Sequence, residues 1–160
     1  MNKQNNESGM IEAPQGKTPE TILQTEGRFL SVTKGVSMRP MLKSGRDVIV
    51  VVPKTQRLKP LDVALYRRGD AYVLHRVISV IENGYIIRGD NTYSDEIVPE
   101  KDVFGVLTEY FSKGRTVSVT DEKYKKYSHK IVKNYKKRKA RFDFIFKVKK
   151  FVKNIFGKKR

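Results

Sequence analysis

The chain has 160 residues, enough for one ordinary domain with its own core and an appendage. Its 34 Lys and Arg against 17 Asp and Glu give a net charge of +17. It contains no cysteine, which excludes disulfides, thiolate metal sites and a cysteine nucleophile. No apolar run approaches the roughly 18 residues needed to cross a bilayer, so no transmembrane span is expected.

The N-terminal residues 1–27 are rich in Asn, Gln, Glu, Gly and Pro. They lack the apolar stretch of a secretory signal, and their composition is typical of chains that cannot build a core. We therefore expect this segment to be mostly disordered and to be neither a signal peptide nor a membrane anchor.

From residue 28 the pattern changes to short runs of β-branched and aromatic residues broken by turn residues. Seven runs predict strands, at residues 29–33, 47–52, 62–67, 71–81, 85–88, 103–111 and 115–120. Asn83-Gly84 is a hairpin signal between the fourth and fifth runs, and residues 91–102 are predicted to form a polar loop. The pattern indicates a mainly β domain over residues 28–120, built as a twisted, partly closed antiparallel sheet.

The positive charge is concentrated in a C-terminal tail, residues 121–160, with a helical period. Residues 123–160 hold 17 of the basic residues and one acid, Asp143, whereas residues 1–122 are close to neutral. A first helix is predicted to begin at an Asp121 cap and to align Tyr124, Tyr127, Ile131 and Tyr135 on one face.

A second apolar stripe in the tail spans an arc of roughly 140° at 100° per residue. Its members are Phe144, Ile145, Val148, Phe151, Val152, Ile155 and Phe156, and Gly157 is expected to end the helix. Lysines lie off the arc, a pattern that suits an anionic membrane surface. The other expectation is that the stripe packs on the domain's own sheet.

Ser37 stands between a glycine turn and a proline, in the sequence GVSMRPML at residues 35–42. Gly35 permits a close backbone approach, and Pro40 suits the first turn of a short helix whose free N–H groups face a developing oxyanion. Alternatively, Ser37 simply caps that turn.

A nucleophilic serine needs a base, and His75 is the one histidine of the strand-rich region. It lies within the apolar run 71–81, where a packed histidine without a chemical role is the alternative. A third group that orients the imidazole is expected to be Asp90 or Asp95, although Gly-Asp-Asn at residues 89–91 is also ordinary turn chemistry.

The order of these motifs resembles that of the signal peptidase I superfamily, a serine peptidase clan that also contains self-cleaving SOS-type repressors. The corresponding segments are residues 35–42, 45–50, 60–66, 74–78 and 89–91, so the resemblance covers roughly residues 28–118. Leu-His-Arg-Val at residues 74–77 is similar to the histidine-type branch found in the endoplasmic reticulum and in sporulation.

The resemblance implies a serine endopeptidase that removes a signal or leader segment from a peptide substrate without a cofactor or metal. Ser37 would be the nucleophile, His75 the base, Asp90 or Asp95 the third member, and the Ser37 N–H the oxyanion donor. Relatives bind an extended peptide with small residues next to the cut, and some carry a hydroxyl where this chain has Gly35.

Signal peptidases are held by N-terminal membrane spans, which are not expected here. The chain is therefore expected to act in the cytoplasm or at a membrane surface reached through its tail. The alternative function is an inactive peptidase fold that binds anionic membrane or nucleic acid through the tail. Nucleic acid is the less favoured partner because the region before residue 28 is too short for a helix-turn-helix.

Overall fold

The computed structural model describes residues 10–11 and 16–156. Within them lie nine strands, which are β1 Met10–Ile11, β2 Phe29–Val32, β3 Val48–Pro53, β4 Val63–Arg68, β5 Ala71–Ile81, β6 Gly84–Arg88, β7 Glu96–Pro99, β8 Val103–Ser112 and β9 Arg115–Ser118. The helices are α1 Pro19–Glu26, α2 Glu122–Lys133 and α3 Tyr135–Phe156, with a 3-10 turn at Glu100–Asp102.

The strands form one antiparallel sheet that curls into a half-barrel. Its order is β2-β3-β8-β4-β5-β6-β7, with β1 paired to β5 and β9 paired to β8. The register shifts within the β3–β8, β4–β8 and β5–β6 pairs, and such bulges bend strands and increase their twist. The predicted mainly β class, with a partly closed antiparallel sheet and a helical C-terminal tail, is confirmed.

Two apolar clusters lie on the sheet. The first is covered by α1, by the loop between β2 and β3 and by α2, through Leu23, Met38 and Tyr124 respectively. The second contains Tyr66 and Tyr85. The loop that carries Ser37 is therefore part of the cover of the core, and burial holds it in place.

The strand β7 lies within residues 91–102, which the sequence predicted to be a loop. It pairs with β6, placing Glu96 opposite Ile87. Only Val98 of this strand is buried, whereas Ile97 is 75% exposed. A four-residue edge strand with one inward apolar side chain has too little alternation to be recognised from sequence.

The expectation of an N-terminal segment that is mostly disordered fails for residues 16–27. Thr18 caps α1 by accepting a hydrogen bond from the Thr21 N–H, Pro19 occupies the first turn, and Gly27 ends the helix in the left-handed region. Ile22 is buried in the first cluster. The strand β1 lies earlier still, while residues 1–9 and 12–15 are outside the described part.

The C-terminal tail forms two helices, divided at Asn134. The first follows Asp121 as predicted, but the Asp121 carboxylate accepts from the Ser118 N–H and makes no cap to the helix. Gly157 lies outside the described residues. No helix of the described part combines the length and apolarity needed to cross a membrane.

Candidate active site

Ser37 lies in the loop between β2 and β3, directly after a turn made by glycine. Gly35 has φ of 82°, in the left-handed region that favours glycine. The Leu42 N–H donates to the Met38 carbonyl at 3.0 Å, which closes a single helical turn. The loop thus contains one turn, and the helix predicted to begin at Pro40 is not formed.

The segment after β6 holds the backbone around Ser37. The Asn91 N–H donates to the Ser37 carbonyl at 2.6 Å, and the Asn91 side-chain amide donates to the Val36 carbonyl at 3.2 Å. A Cβ at Gly89 would lie 2.8 Å from the Ser37 carbonyl oxygen and 3.0 Å from Ser37 Cβ. Position 89 therefore requires glycine because Ser37 approaches its backbone so closely.

The strand β5 places His75 in the interior beside Tyr66 of β4, each with an exposed fraction of 1%. His75 Nδ1 lies 3.1 Å from the Tyr66 hydroxyl oxygen and 3.2 Å from Glu96 Oε1. The Tyr66 hydroxyl donates its own proton to Glu96 Oε2 at 2.9 Å, so it offers only lone pairs to the ring. In the neutral imidazole the proton consequently sits on Nδ1, and Nε2 keeps the lone pair that a general base needs.

Glu96, at the start of β7, is the carboxylate beside His75. Burial raises the pKa of Glu96, but hydrogen bonds from His75 and Tyr66, together with the electrostatic effect of His75 and Arg68, lower it by more, to about 2. Burial and the charge of Glu96 raise the pKa of the Tyr66 phenol. Glu96 therefore remains an anion and Tyr66 remains a donor over the range in which a peptidase works.

Ser37 Oγ and His75 Nε2 are both buried, and neither has a hydrogen-bond partner, so they are not bonded to each other. Arg76 faces Arg88 in the β5–β6 ladder. The ladder ends at that pair, and the next residue, Gly89, lies close to Ser37. Buried polar groups are nearly always hydrogen-bonded, and five side-chain atoms of the described residues are not. Ser37 Oγ and His75 Nε2 are the two of these that could serve as a nucleophile and its base.

Asp90 is buried but is turned toward Arg76. Its two oxygens each accept a hydrogen bond of 2.7 Å from the Arg76 guanidinium, and Oδ2 also accepts from the Tyr127 hydroxyl at 2.9 Å. Burial lowers the pKa of Arg76, but the hydrogen bonds and charge of Asp90 raise it by more. Asp90 thus forms a buried ion pair with Arg76, and the described contacts do not join it to His75.

Asp95 is exposed and accepts from Arg88 Nη1 at 2.9 Å. The Arg88 guanidinium in turn lies 3.4 Å from the ring centroid of Tyr135. Neither of the acids proposed from the sequence lies beside His75 within the described contacts. Glu96 is the carboxylate in contact with His75, and Ser37 lies beside residues 89–91, which follow β6.

Sequence reasoning missed Glu96 because it considered only the acids in and directly after Gly-Asp-Asn. Glu96 is the first residue of β7 and contacts His75, whereas Asp95, just before the strand, accepts from Arg88. The adjacent pair Asp95-Glu96 was the available signal. Choosing between its members requires the register of β7 on β6.

A cavity of about 680 Å³ lies between β9 and α2, and neither Ser37 nor His75 lines it. Its walls include Pro40, Arg115, Asp121 and Tyr127. No pair of unpartnered buried groups lines it among the described residues. The unpartnered buried atoms therefore favour Ser37 and His75 as the candidate active site, even though this cavity offers more space.

Comparison with known proteins finds no relative: no family model, no curated protein and no solved structure matches the chain.

Proposed function

We propose that the chain is a serine endopeptidase in which Ser37 attacks a peptide carbonyl and His75 is the general base. The observation that carries the proposal is the pair of buried, unpartnered atoms Ser37 Oγ and His75 Nε2. The Glu96 carboxylate at Nδ1 supports it, because that contact favours the tautomer with a free Nε2 lone pair.

In this mechanism His75 Nε2 takes the Ser37 hydroxyl proton as Oγ bonds to the carbonyl carbon, and then delivers that proton to the leaving amine. Water releases the acyl group in a second step, again with His75 as base. The Ser37 N–H is the proposed oxyanion donor. Ser37 Oγ and His75 Nε2 must move into hydrogen-bond distance when substrate binds, as catalytic groups of unliganded enzymes often do.

An extended peptide is the proposed substrate, and the position of β1 supports this choice. Residue Met10 pairs with Val73 of β5, and Ile11 bridges Thr33, just after β2. An extended backbone is thus accommodated between the segment that leads to Ser37 and the strand that leads to His75. The leader or signal nature of the substrate rests on the resemblance to signal peptidases alone.

The experiment uses the purified full chain and a randomised peptide library, with cleavage products identified by mass spectrometry. We expect the rate to fall by about 10³-fold or more in Ser37→Ala and in His75→Gln. The matched control is Ser79→Ala, a half-buried serine on the same strand as His75. Equal cleavage by wild type and Ser37→Ala would overturn the proposal.

A non-enzymatic binding protein is the second candidate, because α3 exposes apolar and basic side chains together. That function requires no reaction at Ser37. The binding function would be favoured if no peptide in the library were cleaved while the tail still bound membrane vesicles. Binding by the tail is argued separately below, and it does not depend on catalysis.

A further inference from the structure

The helix α3 leaves an apolar arc uncovered, and Phe142 and Phe146, exposed by 48% and 53%, lie outside that arc. Five side chains of the predicted stripe are between 45% and 68% exposed: Phe144, Ile145, Val148, Phe151 and Val152. They fall within an arc of roughly 120° at 100° per residue. The side chains of Ile155 and Phe156, also in the predicted stripe, are outside the described part. Packing of this face on the domain's own sheet does not occur among the described residues.

A different side of α3 contacts the sheet domain. The Tyr135 hydroxyl donates to the Tyr93 carbonyl at 3.0 Å, Arg138 Nη1 donates to the Asp90 carbonyl at 2.6 Å, and the rings of Phe142 and Tyr93 stack 4.5 Å apart. At 100° per residue these three positions lie outside the exposed arc, roughly 20° to 80° beyond one edge of it. The domain therefore fixes the rotation of α3 with its apolar face outward.

Basic residues surround the exposed arc. Lys147 and Lys149 flank it on its two sides, and both are exposed. Along Tyr135–Phe156 the sequence has nine Lys and Arg against one acid, Asp143, which already pairs with Lys139. A face of this kind has apolar groups at its centre and positive charge at its edges, which matches the acyl and headgroup layers of an anionic lipid surface.

Two other occupants fit the same face less well. A second copy of α3 would bring like charges together, because each copy carries the same excess of lysines. The phosphates of a nucleic acid would neutralise the lysines. They would leave Ile145, Val148 and Val152 in water, since a phosphate backbone has no apolar layer.

We propose that α3 is a peripheral membrane anchor that inserts this exposed arc into an anionic bilayer surface. The anchored helix is joined to the candidate site by Arg138, which donates to the Asp90 carbonyl, and the neighbouring Asn91 donates to the Ser37 carbonyl. Docking would thus present the Ser37 site at a lipid surface. The docking itself is independent of the proposed peptidase activity.

The test is flotation of the full chain with phosphatidylcholine vesicles that contain or lack phosphatidylglycerol. We expect binding to the anionic vesicles, weakened by added salt, and weaker binding to the neutral ones. The double variant Phe144→Ser, Phe151→Ser should bind anionic vesicles at least tenfold more weakly. The matched control is Leu30→Ser with Ile97→Ser, which removes two apolar side chains exposed by 50% and 75% elsewhere in the fold.

The charge contribution is tested with Lys147→Gln combined with Lys149→Gln. It should bind anionic vesicles more weakly than wild type, whereas the control Lys59→Gln with Lys113→Gln should not. Equal vesicle binding by wild type and the phenylalanine variant would overturn the anchor. So would tail-dependent duplex DNA binding without vesicle binding, or concentration-dependent dimerisation that the phenylalanine substitutions abolish.

Discussion

At the scale of single residues, one carboxylate determines which nitrogen of His75 is free. Glu96 Oε1 accepts a hydrogen bond from Nδ1–H, and the Tyr66 hydroxyl cannot donate to Nδ1 because that hydroxyl already donates to Glu96 Oε2. The free Nε2 of the proposed base is therefore a property of three side chains from three strands, β4, β5 and β7.

The low pKa of Glu96, about 2, makes a pH-dependent contribution to stability. Since this value lies below that of an unfolded glutamate, the contribution is fully present above about pH 4.5 and is lost as the pH falls toward 2. Glu96→Gln should lower the free energy of unfolding at pH 7 by on the order of 2 kcal/mol, an amount reduced by the partial exposure of the group. Urea unfolding of both proteins between pH 7 and pH 3 measures the difference.

The difference between wild type and Glu96→Gln should shrink as the pH falls below about 4.5. The control is Asp95→Asn, whose side chain is 47% exposed, and a difference of under about 1 kcal/mol is expected there. A gap between wild type and Glu96→Gln that stays constant with pH would contradict the assigned contacts.

At the scale of elements, β1 occupies an edge of β5 that β6 leaves unpaired. Ile11 is 5% exposed and lies beside Met38, Leu42 and Leu74. If a peptide substrate pairs with the same edge, the chain's own strand competes with it. The apparent affinity for substrate is then reduced by the fraction of molecules in which β1 has left.

Ile11→Asp should release β1, because a buried carboxylate without a partner is strongly unfavourable. On the proposed function, we expect kcat/KM for an added peptide to rise severalfold. Amide exchange should also become faster at the one of Tyr72 and Val73 whose N–H points toward β1, a readout that needs no catalysis. Leu30→Asp, at an exposed apolar position on β2, is the control, and unchanged exchange at both amides would contradict the assigned pairing.

At the scale of the whole molecule, the Arg76 guanidinium joins the sheet to the C-terminal tail. It bonds to Asp90 and to the Leu61 carbonyl, and its Nη1 also donates to Ser128 Oγ of α2 at 3.0 Å. Arg76 has an exposed fraction of 0%. The basic tail is therefore not an independent appendage, because its first helix completes a buried polar network of the domain.

Asp90→Asn should destabilise the protein by about 3 to 5 kcal/mol, because it leaves the Arg76 charge buried without its partner. Chemical unfolding monitored by circular dichroism measures the loss. Asp70→Asn, at an exposed turn residue, is the control and should change stability by less than about 0.5 kcal/mol.

The double variant Arg76→Met, Asp90→Leu should recover part of that stability, since it removes both charges together. If Asp90→Asn matched the Asp70→Asn control, the ion pair would not hold the tail to the sheet.

The sequence by itself determined the local features of this protein. A long run of apolar and β-branched residues determines β5, and a 3.6-residue period makes α3 amphipathic, because both patterns depend on neighbours along the chain. Ser37 and His75 were identified as candidates from their local motifs. Thr18 and Gly27 are residue types that commonly cap helices, but the polar composition of residues 1–27 favoured disorder over the helix α1.

Only the tertiary structure decided which acid stands beside His75, what β1 pairs with and which side of α3 faces outward. Each of these depends on contacts between residues far apart in the chain. If the pairing of β7 with β6 were shifted by one residue, Asp95 would occupy the position beside His75 that Glu96 occupies. Local patterns do not specify that register, since it is set by the packing of the whole sheet.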